Sequence, residues 1–156
     1  MQFDLIAIGK RMPVWVDSAF NEYSKRLPKN INFNLIEIIP AKRSKNISSE
    51  KLRKIEEEKI NESIANNSFV IALDEKGKSK NSRELSVELQ KWIDNQQHIS
   101  ILIGGADGLS SPIKNKANEI WSLSEMTLPH SLVRIIIIEQ IYRAWSIISH
   151  HPYHRE

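Results

Sequence analysis

Four short apolar runs, each followed by a turn-forming residue and separated from the next by a longer amphipathic stretch, narrow the folds open to this chain. The runs are Phe3–Ile8 before Gly9, Phe33–Ile39 before Pro40, Phe69–Leu73 before Asp74, and Ile99–Ile103 before Gly104. Apolar, β-branched runs bounded by such residues read as strands. Between the first two, Val16, Phe20, Tyr23 and Leu27 recur at helical spacing, with Pro13 in the first turn and Pro28 at the end. Strands that alternate with helices pair in parallel, because a parallel neighbour is reached only by a crossover. The expected class is α/β: a mostly parallel sheet flanked by helices, in a single domain over 1–156. The third run, Phe69-Val70-Ile71-Ala72-Leu73, is apolar at every position and is expected inside the sheet.

The remaining helices have their own start signals. Ser48 or Ser49 is placed to cap a second helix running to about Ala65, with Glu50 in its first turn near the positive end of the dipole. Ser82 is read as the cap of a third, whose buried face is Leu85, Leu89, Trp92 and Ile93. Ser111-Pro112 opens a short fourth. Two segments read as loops. One is Pro40–Ser49, carrying Lys42, Arg43 and Lys45, either a phosphate contact or a solvated linker. The other is Asp74–Lys78, where Asp74 either serves a ligand or orders its own turn.

The fourth run ends in three glycines, Gly104, Gly105 and Gly108. Ligands in open α/β sheets sit beyond the carboxyl ends of the strands. A glycine cluster there is either a tight turn or a place where backbone approaches a ligand. The spacing matches neither Gly-x-Gly-x-x-Gly nor the phosphate loop Gly-x-x-x-x-Gly-Lys-Ser/Thr, so a nucleotide-phosphate enzyme is a poor reading.

The last third departs from the simple alternation. Ile120–Ser124 is a short strand, Glu125–His130 a loop, and Leu132 to about Ser149 a helix that is apolar around most of its circumference. Such a helix is covered on most sides. It is either a central core helix or, as expected here, the interface of a homodimer with Ile137 in the contact. The ending His150-His151-Pro152-Tyr153-His154-Arg155-Glu156 carries ring and cationic groups where tails are usually bland.

Composition removes several classes. The absence of cysteine excludes disulfides, thiolate metal sites and cysteine nucleophiles. The tail histidines have no carboxylate at ligand spacing, so no metal is expected. No run reaches the length needed to cross a bilayer, and no basic segment precedes an apolar core at the N-terminus. A net charge of +3 leans toward a polyanionic partner without requiring one.

Three pieces together carry a specific resemblance: Ile103-Gly104-Gly105-Ala106-Asp107-Gly108-Leu109, Leu123-Ser124-Glu125-Met126-Thr127-Leu128-Pro129-His130, and Glu139-Gln140-Ile141-Tyr142-Arg143-Ala144-Trp145 with Tyr153-His154-Arg155. The chain resembles, over its whole length, the SPOUT-class methyltransferases of large-subunit ribosomal RNA, type H. The resemblance implies a deep trefoil knot in the C-terminal segment of the α/β fold. It also implies bent S-adenosylmethionine in the knot loops, a homodimer, a cytoplasmic location, and methylation at N3 of a pseudouridine in 23S ribosomal RNA, on the assembled ribosome. Cofactor-binding positions become Leu73, Gly104, Gly105, Leu123, Ser124, Glu125, Met126, Thr127 and Leu128. Catalytic candidates are Tyr153, His154, Arg143 and Arg155. His154 is the candidate base, because histidine titrates nearest neutral. Tyr153 would stack on or hydrogen-bond the target base, and the arginines would hold phosphate or a carbonyl oxygen. A salt bridge to Glu139, four residues away, is the plainer use of Arg143. His130 and Arg134 either orient the knot loop or act directly. Two other readings remain: a ribosome-associated RNA-binding factor without turnover, and a SPOUT enzyme acting on transfer RNA.

Overall fold

The structure is a computed structural model and describes residues 1–155. Its elements, in chain order, are β1 (Gln2–Ile8), α1 (Val14–Arg26), β2 (Asn32–Ile38), α2 (Ser49–Ser63), β3 (Phe69–Ser79), α3 (Ser82–Asp94), β4 (His98–Ile103), α4 (Ser111–Lys116), β5 (Glu119–Ser122) and α5 (His130–Ile148). The five strands form one parallel sheet in the order β2-β1-β4-β3-β5. The expected α/β class and parallel sheet are therefore observed. β3 lies inside the sheet, as its unbroken apolar run requires, although β4 holds the centre.

Strand side chains alternate between two cores. Phe3, Leu5 and Ala7 of β1 join Ile99, Ile101 and Ile103 of β4 on the face covered by α1, α3 and α5, through Phe20, Leu89, Trp92 and Ile138. Ile6, Ile8 and Leu102 point the other way, to Ile60 of α2 and Ile113 of α4. Burial of each of the larger side chains among these contributes about 1.5–3 kcal/mol. The result is a three-layer sandwich, with three helices on one face and two on the other.

Helix starts follow the side chains that can satisfy free amides. The Ser48 hydroxyl accepts from Lys51 N, and Ser110 caps α4 with Pro112 in its first turn. At α3 the cap is Asn81, not Ser82. Asn81 accepts from Glu84 N while the Glu84 carboxylate accepts from Asn81 N, a reciprocal pair that a serine one position on does not supply. Pro13 sits just ahead of α1 rather than within its first turn.

Two strand ends differ from expectation by more than one residue. β3 does not end at Leu73. It breaks register between Leu73 and Lys78, both of which align with Trp121, and then resumes pairing with β5. Gly77 permits this, since a Cβ there would lie 2.5 Å from the Trp121 carbonyl carbon. β5 ends at Ser122, which leaves Leu123 and Ser124 in the loop that follows.

α5 is largely a core helix of its own chain. Ile137 is 3% exposed and packs with the α1–α3 side of the sheet, so the expectation that Ile137 lies in a subunit interface is corrected. Intrachain packing already fills that position. Near the start of α5, Arg134 is completely buried. Its guanidinium donates to Glu37 Oε2 (2.7 Å) and to the Gly9 carbonyl (2.8 Å), binding the helix to the carboxyl ends of β2 and β1. Arg134→Met keeps the bulk but strands the Glu37 carboxylate and the Gly9 carbonyl. It is expected to lower unfolding free energy by about 3 kcal/mol. Urea denaturation measures this, and a loss below about 1 kcal/mol contradicts the anchor.

Candidate functional site

A pocket of about 460 Å³ opens at the carboxyl ends of β4 and β5, beside the register break of β3 after Leu73, a size that suits a cofactor-scale ligand. Its floor is the glycine loop, Gly104–Leu109. One wall is Leu73 with the Asp74–Lys76 excursion of β3, and the other is the 123–128 loop with Val133. Arg53 of α2 and Lys114 of α4 bring positive charge to its lining. The structure thus gathers every position expected to bind cofactor except Glu125, which is exposed and outside the lining.

The glycines have local reasons. A Cβ at Gly104 would lie 2.6 Å from both Gly108 C and Leu109 N. Gly108 takes φ +75°, and its amide donates to the Gly105 carbonyl at 2.9 Å. A Cβ at Gly105 would meet the Glu56 carboxylate at 3.0 Å. The tight turn is thus sufficient to require glycine at 104, and its glycines leave part of the floor as bare backbone beside Ala106, Asp107 and Leu109.

Asp74 orders its own excursion. Its carboxylate accepts from Lys76 N (2.9 Å) and from Lys114 Nζ (3.0 Å). Partial burial works against the charged form, but these two donors outweigh it and hold the carboxyl below its ordinary range.

The opposite wall has main chain to spare. Within the 123–128 loop, Ser122 Oγ donates to Ser124 O and Met126 N donates to Ser124 Oγ. Among the described residues, the backbone groups of Glu125, Thr127 and Leu128 have no hydrogen-bond partner. Thr127 and Leu128 line the pocket. Glu125 and Thr127 are exposed, so these main-chain groups face solvent and are free to meet a ligand. His130, also in the lining, has a buried Nδ1 with no partner. Burial first, and then the nearby Arg134 charge, push its imidazole below the ordinary histidine value, so it favours the neutral form.

The tail folds elsewhere. Tyr153 lies edge-on to Tyr142 at 4.7 Å, with the Arg143 guanidinium 4.8 Å over its ring. Its hydroxyl donates to Glu139 Oε1 (2.9 Å) and lies 3.3 Å from the Tyr23 hydroxyl. Arg143 Nε donates to the same Glu139 oxygen at 3.0 Å, and Arg143 Nη1 is 3.5 Å from His154 Nδ1. Burial, then the Tyr23 and Glu139 contacts, raise the Tyr153 phenol well above its ordinary value, so it remains a donor. Arg155 is exposed. The structure therefore brings Arg143, Tyr153 and His154 together around Glu139, a hub that the sequence marks only as the i−4 partner of Arg143. The Tyr153 contact spans fourteen positions and leaves no local signal.

Pocket and tail remain separate within one chain. None of Arg143, Tyr153, His154 or Arg155 lines the pocket. Ten residue steps of helix, about 15 Å of rise, separate Val133 in the pocket wall from Arg143. Among the described residues, no cluster of three or more His, Asp or Glu side chains could hold a metal ion. No described helix is long and apolar enough to cross a membrane.

A parallel α/β sheet with a cofactor-sized pocket at its strand ends is shared by several enzyme classes, and comparison with known proteins decides among them. The family profile "Predicted SPOUT methyltransferase" matches residues 1–154. The chain belongs to the SPOUT methyltransferase family. Within that family it is 46% identical over 156 residues, all of both chains, to a Hahella chejuensis protein named ribosomal RNA large subunit methyltransferase H. It is 45% identical, again over the whole of both chains, to a protein of that name from Thioalkalivibrio sulfidiphilus. The fold is also that of a probable methylase family protein from Haemophilus influenzae. The TM-score is 0.64 at 12% identity, covering 99% of this chain and 70% of that one.

His130 gives the pocket a pH signature. Protonating a group whose folded value is depressed costs the folded state only. Stability is therefore intact above the ordinary histidine value of 6.5 and declines as pH falls through and below it. Denaturation curves between pH 8 and pH 5 are expected to show His130→Gln losing less stability than the wild type. Parallel curves would contradict a buried neutral imidazole.

Proposed function

We propose that this protein is an S-adenosylmethionine-dependent methyltransferase that modifies N3 of a pseudouridine in 23S ribosomal RNA, with the assembled ribosome as substrate. The observation that carries the reading is the pocket. A glycine-rich floor faces a loop whose main-chain groups at Thr127 and Leu128 are free of protein partners, with apolar cover from Leu73, Leu123, Met126 and Val133. An adenine ring suits such a site, since it offers flat apolar faces and a hydrogen-bonding edge. Full-length kinship with relatives named for large-subunit ribosomal RNA methylation supports the substrate class. The same kinship supports a cytoplasmic setting and a C-terminal third threaded as a trefoil knot, with the 123–128 loop in it.

Bound S-adenosylmethionine supplies a methyl group activated by a positive sulfur. The protein's tasks are then to position the acceptor nitrogen and to remove its proton. As the new N–C bond forms, the S–C bond breaks and the N3 proton passes to a base. Tyr153 is a donor and does not serve as that base. His154 is the proposed acceptor, beside Arg143, whose guanidinium is held in place by Glu139. Arg143 and Arg155 would steady charge on the carbonyl oxygens or hold phosphate. Tyr153 presents a ring against the target base. Reacting atoms must approach within about 3–3.5 Å, and one chain keeps its tail away from its own pocket. We therefore read the working form as a homodimer in which the tail of one protomer serves the pocket of the other.

A chain truncated after Pro152 is expected to stay folded, with a lower thermal midpoint because the Tyr153 contacts to Glu139, Tyr142 and Arg143 are lost. It should lose at least about 100-fold in transfer of labelled methyl to ribosomes from cells lacking the gene, in line with removal of a general base. Retained turnover rejects the tail's role. Mass mapping of large-subunit RNA from cells with and without the gene tests substrate and position together. Loss of one methylpseudouridine is the expected result, and an unchanged map rejects the assignment.

A further inference from the structure

The loops after β1 and β2 leave the sheet side by side, joined by a hydrogen bond from Gly9 N to Ile38 O at 2.9 Å. The first carries Lys10 and Arg11, and the second Lys42, Arg43 and Lys45, all exposed. Neither 9–16 nor 39–48 contains an acidic residue. The only ion pair of these five cations among the described residues is Arg43 with Asp107, in the glycine loop that floors the pocket. The same two loops and the start of α1 also expose large apolar groups: Val14 at 81%, Trp15 at 52% and Ile39 at 58%. An exposed indole and unopposed cations on these adjoining segments make one patch of mixed apolar and positive character, joined to the pocket's glycine loop through Arg43 and Asp107.

We propose that these two loops form one RNA-docking platform. Trp15 offers a stacking face to an unpaired base, and Lys10, Arg11, Lys42 and Lys45 contact the phosphates on either side. Single-stranded RNA fits this chemistry, because its splayed bases stack on aromatic rings while cations follow the backbone. Arg43, spanning to Asp107, puts the platform and the pocket on one rim, so a strand held there passes the pocket mouth. A second copy of the chain fits less well, since a two-fold contact through this patch sets like charges against like. The inference rests on the RNA-substrate reading but assigns residues outside the pocket and the tail.

The test uses the full-length protein and ribosomes from cells lacking the gene, with affinity measured against monovalent salt at constant magnesium. Lys10→Ala with Arg11→Ala is expected to flatten the log–log salt slope by roughly 1.4, about 0.7 for each lost contact to single-stranded RNA. Trp15→Ala is expected to weaken binding about ten-fold with the slope unchanged, and Trp15→Phe to restore most of it. Unchanged affinity and slope in both variants overturn the platform. So does a Trp15→Ala variant whose sedimentation shows a changed oligomeric state, because the face is then a protein contact. The wild-type protein's methyl transfer to ribosomes is scored separately. Its absence would reject the enzymatic reading, while the binding data would still decide the platform.

Discussion

No side chain fits at position 104. A Cβ there would lie inside van der Waals distance of the loop's own backbone, at 2.6 Å from two main-chain atoms. This constraint makes the turn from β4 toward α4 fold back on itself, with Gly108 at positive φ closing it. It produces a glycine-rich floor at the centre of the sheet's carboxyl edge. The β3 excursion is fixed beside it by Asp74 and Lys114. The loop after β5 closes the other side, in a chain whose next helix is anchored through Arg134.

α5 connects the two chemical regions and keeps them apart. Its first turns carry His130 and Val133 into the pocket lining, while its later turns carry Glu139 and Arg143, on which the tail docks. The interior of the chain packs the helix's apolar side, through Ile137, Ile138 and Ile141, against the sheet and α1 and α3. A rigid, well-packed helix suits this role, since functional groups on a regular element are held more closely than groups on loops. Separation of pocket and tail within one protomer is the geometric reason for expecting a second protomer in the working enzyme.

Much of this architecture was legible in the residues, and the exceptions have physical causes. The strand and helix order followed from apolar runs and helical spacing, which are local properties. The pocket's position followed from glycines at a strand end, together with the family resemblance. What escaped were features decided by contacts distant in sequence. The extension of β3 depends on Gly77 lying against Trp121, and a lone glycine in Asp-Glu-Lys-Gly-Lys reads as a turn. Asn81 displaced Ser82 as a cap because Glu84 reciprocates its hydrogen bond. Glu139 as a hub depends on the tail folding back, and Ile137 appeared available to a partner because periodicity does not say which chain covers an apolar face.

The central claim is that the glycine floor and the loop facing it hold a methyl-donating sulfonium. Isothermal titration of the purified protein with S-adenosylmethionine and with S-adenosylhomocysteine, at two temperatures so that a vanishing enthalpy is not mistaken for no binding, tests it most directly. The account predicts saturable binding of both. Absence of binding by either compound at both temperatures, in folded wild-type protein, would contradict it.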